Sequence, residues 1–194
     1  MTHPADRPTA LRDRAFPKRL YLLLALIVLV LDQWSKWLIE AHLPLYASID
    51  LIPGLNFTHV RNTGVAFGLF AAHGDAMRTA VLSGLALVTL GILGVYFRRI
   101  PRAERLLLTA LGLVLGGAVG NLIDRITSGG VTDFIDVYVG TYHWHTFNIA
   151  DSAISVGIGV MLLHAFRPEL GRVDKVDPAI DGGGGEAADA EGRP

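Results

Sequence analysis

Between Gly120 and Asp151 the chain sets acids and amides at the ends of apolar segments, and few folds tolerate that arrangement. The segments read Gly120-Asn121-Leu122-Ile123-Asp124-Arg125, then Val131-Thr132-Asp133-Phe134, then Phe147-Asn148-Ile149-Ala150-Asp151. One apolar run leads into Asn121 and another leaves from Asp151. Taking carboxylates into apolar surroundings is costly, and ionisable groups within membrane segments mark functional sites. The chain as a whole is 51% hydrophobic and only 18% charged, with a mean hydropathy of +0.42. Those values exceed what a soluble domain needs and point to several membrane spans.

The first apolar run starts at Leu20 and continues through Asp32-Gln33-Trp34-Ser35-Lys36-Trp37 to Ile39. About 20 residues cross a hydrocarbon core of about 30 Å. Leu20–Leu31 alone resembles the apolar core of a signal peptide, but no small-x-small cleavage site follows, so the run reads as an uncleaved first helix. Further helices are expected over Met77–Phe97, Leu106–Ile123 and Ile149–Phe166. Residues 41–76 differ. Pro44, Pro53, Gly54 and Gly64 punctuate short alternating runs such as Leu55-Asn56-Phe57-Thr58-His59-Val60, which favour strand. The expected fold is an all-α membrane protein of four transmembrane helices, with a small β-structured loop region outside the membrane between the first two. Residues 1–18 read as a disordered arm, 19–168 as the membrane domain, and 169–194, with four consecutive glycines, as a disordered tail.

Basic residues orient the spans. Five fall in residues 1–19, and Arg98, Arg99, Arg102 and Arg105 fill the second link, while the segments 41–76 and 126–146 contain only Arg61. The positive-inside rule then puts both termini and the second link in the cytoplasm. Trp34, Trp37, Tyr138, Tyr142 and Trp144 fall at the expected outer interface. Asp32 lies 13 residues beyond Arg19, roughly 20 Å up the first helix at 1.5 Å per residue. Asp32, Asn121, Asp124, Asp133, Asn148 and Asp151 therefore converge near one depth, just inside the outer face.

Each motif also has a simpler explanation. Asn121, Asp124 and Arg125 share a helix face and would serve as a helix end with a local ion pair. Asn148 would serve as an N-cap, Asp151 as a first-turn acid, and Asp133 as a loop aspartate. None of these explains their convergence. Gly112, Gly116 and Gly120 recur every fourth residue, a small-residue stripe for close helix packing. Two neighbouring aspartates at low water content share one proton. The ionised member can then draw a proton from water while the protonated member donates to a peptide carbonyl. A helix N-terminus favours the charged form of Asp151.

Other chemistries find less support. The net charge of −1 gives no basic field for nucleic acid, and the absence of cysteine removes thiol nucleophiles and cysteine-ligated metals. Ser35 and Lys36 are adjacent, so on a helix they point about 100° apart and do not form a Ser/Lys pair. No H-E-x-x-H motif occurs, and His143 and His145 read as interfacial side chains. A proton-coupled transporter or a membrane scaffold would use the same buried acids as a relay or as interhelical glue.

As a set, Asp32-Gln33-x-Ser35-Lys36, Asn62-Thr63-Gly64-Val65-Ala66-Phe67-Gly68 and the three segments above resemble the lipoprotein signal peptidases (signal peptidase II), aspartic proteases of bacterial inner membranes. The resemblance covers residues 20–166. It implies Asp133 and Asp151 as the catalytic pair, with Asp32, Asn62, Gly64, Asn121, Asp124, Arg125 and Asn148 supporting the pair or orienting substrate. It implies removal of the signal peptide before a diacylglyceryl-modified cysteine of a prolipoprotein, with no metal or other cofactor, no obligate protein partner, and lipid access between helices. The 41–76 segment is expected to act as a flap over the substrate.

Overall fold

The computed structural model describes residues 16–64 and 75–166. Helix α1 (Lys18–His42) is followed by strands β1 (Ser48–Ile52) and β2 (Leu55–Asn62). Helices α2 (Asp75–Arg99) and α3 (Arg105–Ser128) come next, then strands β3 (Val131–Val139) and β4 (Tyr142–His143), and finally helix α4 (Ile149–Ala165). Three helices, α1, α2 and α3, are long and apolar enough to cross a membrane. The fourth, α4, is apolar with 17 residues, about 26 Å of helix, the short end of what spans a bilayer.

Helix α3 is central and packs against α1, α2 and α4. Its glycines make this possible. A Cβ on Gly112 would stand 2.7 Å from the Tyr21 carbonyl oxygen, and one on Gly116 would stand 2.5 Å from that of Ala25. On the neighbouring face, a Cβ on Gly117 would strike the Ala150 carbonyl of α4. The expected stripe is thus the seam along which α1 meets α3, with Gly117 extending close approach to α4. Helix α2 instead leaves Leu85, Val88 and Ile92 exposed, as an apolar helix does when its outer face meets lipid.

The sheet is antiparallel in the order β1-β2-β3-β4. The expectation that strand structure belongs to 41–76 alone needs correcting, because β3 and β4 come from the link between α3 and α4. Val131-Thr132-Asp133-Phe134-Ile135-Asp136-Val137-Tyr138-Val139 is dense in β-branched and aromatic residues, and it pairs with β2 through Val60↔Asp133, Arg61↔Thr132 and Asn62↔Val131. Asp133 therefore stands on a strand and not in a loop. Phe134 packs with Ile39 and Leu43, joining the sheet to the end of α1, and its ring meets Phe57 edge-on at 5.8 Å.

Two boundaries also move. Helix α3 runs past Ile123 to Ser128 and stops at Gly129, whose φ of 71° lets its N–H reach the Arg125 carbonyl. Asn121, Asp124 and Arg125 thus lie within the helix. Lys18, expected in the arm, opens α1 and donates to the carbonyls of Phe97 and Arg98 at 2.8 and 2.7 Å, satisfying the end of α2. The arm to residue 15, the Val65–Gly68 part of the expected flap and the tail from residue 167 lie outside the described residues.

Candidate active site

Five elements meet where α3 hands over to β3 and α4 begins. Asp133 is 2% exposed, and each of its carboxylate oxygens receives a carboxamide. Asn148 Nδ2 donates to Oδ1 at 2.7 Å, and Asn62 Nδ2 donates to Oδ2 at 2.9 Å. Asn62 ends β2, and its own Oδ1 accepts from the Gly64 N–H at 2.9 Å. Gly64 has φ of 82°, a conformation that side-chain-bearing residues rarely adopt. It closes a short turn that aims the Asn62 amide at Asp133.

Asn148 is fully buried and links the two acids. It is the N-cap of α4, and its Oδ1 accepts from the Asp151 N–H at 2.8 Å. Backbone pairing between Phe147 and Ile135 holds the preceding residue against β3. The N-cap is therefore more than a local device, because the same carboxamide bonds the carboxylate of Asp133. Asp151 Oδ1 accepts from Asn121 Nδ2 at 2.7 Å.

Behind this pair lies a second layer. Asp32 is fully buried; its Oδ1 accepts from the Ala150 N–H at 2.9 Å, and its Oδ2 meets Lys36 Nζ at 2.7 Å. Lys36 also meets Asp124 Oδ2 at 2.7 Å and donates to Asn121 Oδ1 at 3.0 Å. Gln33 Nε2 donates to Asp124 Oδ1 at 2.8 Å. Arg125 donates to the Asn121 carbonyl at 3.2 Å and lies within electrostatic reach of Asp151, Asp124 and Asp133. Gly120 leaves room for this layer, since a Cβ there would stand 2.5 Å from Asp32 Oδ2.

All nine expected site residues fall in this region. Lys36 and Gln33 were missed as contributors. The signal was present in the Asp32–Lys36 spacing of four, which puts both on one helix face. His143 bonds Asp136 Oδ1 at 2.9 Å and stacks on Tyr138, tying β4 to β3. Among the described residues no three His, Asp or Glu side chains group as metal ligands.

Burial holds the Asp133 carboxyl well above the usual range, to about 6, with the nearby Asp151 charge adding to the effect. The hydrogen bonds from Asn62 and Asn148, and the Lys36 charge, pull the other way. A cleft of about 410 Å³ opens over Asp133 between Arg61, Asn62, His145 and Thr146. A second cavity of about 480 Å³ lies between α2 and α3 beside Arg125, walled by Ala76, Thr79, Ala80 and Ser83. A buried acid whose proton is held up to about pH 6, next to a second acid and open to a cleft, suits general acid–base chemistry.

A sequence model of the peptidase family described as signal peptidase (SPase) II matches residues 24–167. The chain belongs to the signal peptidase II family. Curated relatives named lipoprotein signal peptidase include one from Desulforapulum autotrophicum, 46% identical over 73% of this chain and 88% of the relative. Another, from Geobacter sulfurreducens, is 43% identical over 78% of this chain and 94% of its own. Among solved structures, one described as a bacterial membrane enzyme superposes with a TM-score of 0.71 at 28% identity, covering 81% of this chain and 93% of that one. Like other signal peptidase II chains, this one is a protease of lipoprotein processing with membrane helices.

Proposed function

We propose that this peptidase removes the signal peptide from diacylglyceryl-modified prolipoproteins, cutting before the lipidated cysteine with Asp133 and Asp151 as its catalytic pair. The observation that carries the reading is the carboxamide bridge. Asn148 bonds Asp133 Oδ1 with its nitrogen and the Asp151 N–H with its oxygen, so strand β3 and helix α4 present their acids in fixed relation.

The ionised Asp151, in the first turn of α4, takes a proton from a water molecule, and the hydroxide oxygen bonds the scissile carbonyl carbon. Protonated Asp133 donates to the carbonyl oxygen as the C=O π bond breaks. Collapse of the tetrahedral species reforms the carbonyl and breaks the C–N bond. The Asp151 proton passes to the departing amine, and the hydroxyl proton returns to Asp133. Each acid ends as it began.

The substrate class fits the surroundings. A lipidated cysteine has its acyl chains in the bilayer and its mature chain outside. The exposed apolar flank of α2 and the cavity beside Arg125 offer lipid access, and the polar cleft over Asp133 offers an exit for the peptide. The enzyme is read as a multi-pass protein of the bacterial inner membrane, with both termini cytoplasmic and the site near the outer face. Asn62, Gly64, Asn121, Asp124, Arg125, Asn148 and Asp32 hold the pair or orient substrate.

The test is a gel-shift cleavage assay in lipid with a diacylglyceryl-modified prolipoprotein. Wild type should cut, and Asp133→Asn and Asp151→Asn should each lose at least about 10²-fold in turnover. Near-wild-type cleavage by either folded variant would remove that residue from the pair. Folded wild type that does not cut would return the buried acids to a relay or packing role.

A further inference from the structure

A buried ammonium needs partners for all three of its N–H groups. Lys36 is 3% exposed, and its acceptors are Asp32 Oδ2, Asp124 Oδ2 and Asn121 Oδ1. Two carboxylates already neutralise its charge. The third bond goes to a neutral carboxamide, one bond removed from Asp151.

That third bond has a directional consequence. The Asn121 oxygen faces two donors, Lys36 Nζ at 3.0 Å and Asn148 Nδ2 at 3.3 Å. Turning the amide over would set its NH₂ group against an ammonium and leave the ammonium short of an acceptor. Only one orientation survives, and it directs Nδ2 to Asp151 Oδ1. Asn148 alone supplies a longer, uncharged donor, so the lock depends chiefly on the lysine.

We propose that Lys36 is a positioning residue of the peptidase: by fixing the Asn121 amide it selects which oxygen of Asp151 is restrained and which is free to take the proton from water. The inference rests on the Asp133–Asp151 reading. It also predicts an electrostatic signature, because the Lys36 charge favours the ionised form of Asp133. Among the described residues, the charged and titratable groups facing this centre are Asp32 on α1, Asp124 and Arg125 on α3, Asp133 on β3 and Asp151 on α4, with Arg61 of β2 and His145 lining the cleft over Asp133.

The experiment measures prolipoprotein cleavage against pH in lipid, using the full chain, with thermal melts to report folding. The variants are Lys36→Met, Asp124→Asn and the double Lys36→Met/Asp124→Asn. The double removes a carboxylate that Lys36 neutralises, so it relieves the buried charge left by the single. In a folded Lys36→Met protein, kcat should fall on the order of 10²-fold, as small displacements of a reacting group do. KM should stay within about twofold, since substrate contacts are intact. The upper limb of the pH profile should move to higher pH. The double variant should show the same loss and shift relative to Asp124→Asn.

Folded Lys36 variants that match their references in kcat and pH limb would overturn the inference alone. If neither the single nor the double folds, Lys36 serves charge balance and the inference is also overturned. Folded wild type that does not cleave overturns the peptidase reading and this inference with it.

Discussion

Asn148 Nδ2 donates to Asp133 Oδ1 at 2.7 Å, although fifteen residues and the whole of strand β4 separate them. The bond converts an ordinary helix N-cap into the piece that couples a strand acid to a helix acid. Asn148→Ala removes both halves of this bridge. It should cost about 1 kcal/mol of stability as a lost cap, and kcat should fall much further than that loss of folded protein accounts for. Steady-state kinetics on the folded fraction checks this. A variant that loses stability but keeps its kcat would leave Asn148 as a cap only.

The raised Asp133 carboxyl makes a prediction about pH. If Asp133 donates a proton, kcat/KM should decline on the alkaline side with a limb near the pair's upper value, about 6 in the free enzyme. Stability should follow the same group. Its folded value lies above the unfolded one, so its contribution is complete below pH about 4 and is lost as pH rises through about 6. At about 1.4 kcal/mol per unit this amounts to roughly 3 kcal/mol. Melting wild type beside Asp133→Asn from pH 4 to 7.5 isolates it: only wild type should lose stability through this group across the window. Parallel curves would mean that Asp133 ionises without penalty.

Asn62 acts on Asp133 from the other side. Its hydrogen bond favours the carboxylate, so Asn62→Ala should push the alkaline limb of kcat/KM upward while lowering kcat through loss of orientation. A limb that stays in place, or moves down, would show that the amide does not bond the reactive form. Because Asn62 lies at the end of β2 beside the cleft, the fold should survive.

Gly116→Leu addresses the seam between α1 and α3. A Cβ at this position would stand 2.5 Å from the Ala25 carbonyl oxygen and 2.9 Å from the Val28 Cβ, so the helices must separate to admit a side chain. Overpacking of this kind costs about 1–3 kcal/mol or more, and folded yield and Tm should both fall. An unchanged Tm would mean that the two helices are not in close contact there.

The sequence carried the identity of the polar residues and much of their placement. Charge-poor runs specify the helices, and the acids and amides of the site fall on them or beside their ends. The Gly112-Gly116-Gly120 stripe announced which face of α3 packs closely. Even the nine-residue strand β3 was legible in its β-branched and aromatic content. Asp133 taken alone suits a loop equally well, and the pairing with β2 is what makes the segment a strand.

What the sequence by itself determined is therefore the set of groups and the helices that carry most of them. Only the tertiary structure decided who bonds whom. Lys36 meets Asp124 from another helix, Asn62 reaches Asp133 across a sheet, and Asn121 turns its nitrogen to Asp151 because a buried ammonium holds its oxygen. The physical reason is that spacing along one element fixes which residues share a face. Hydrogen-bond direction in a buried network depends on every partner being present together.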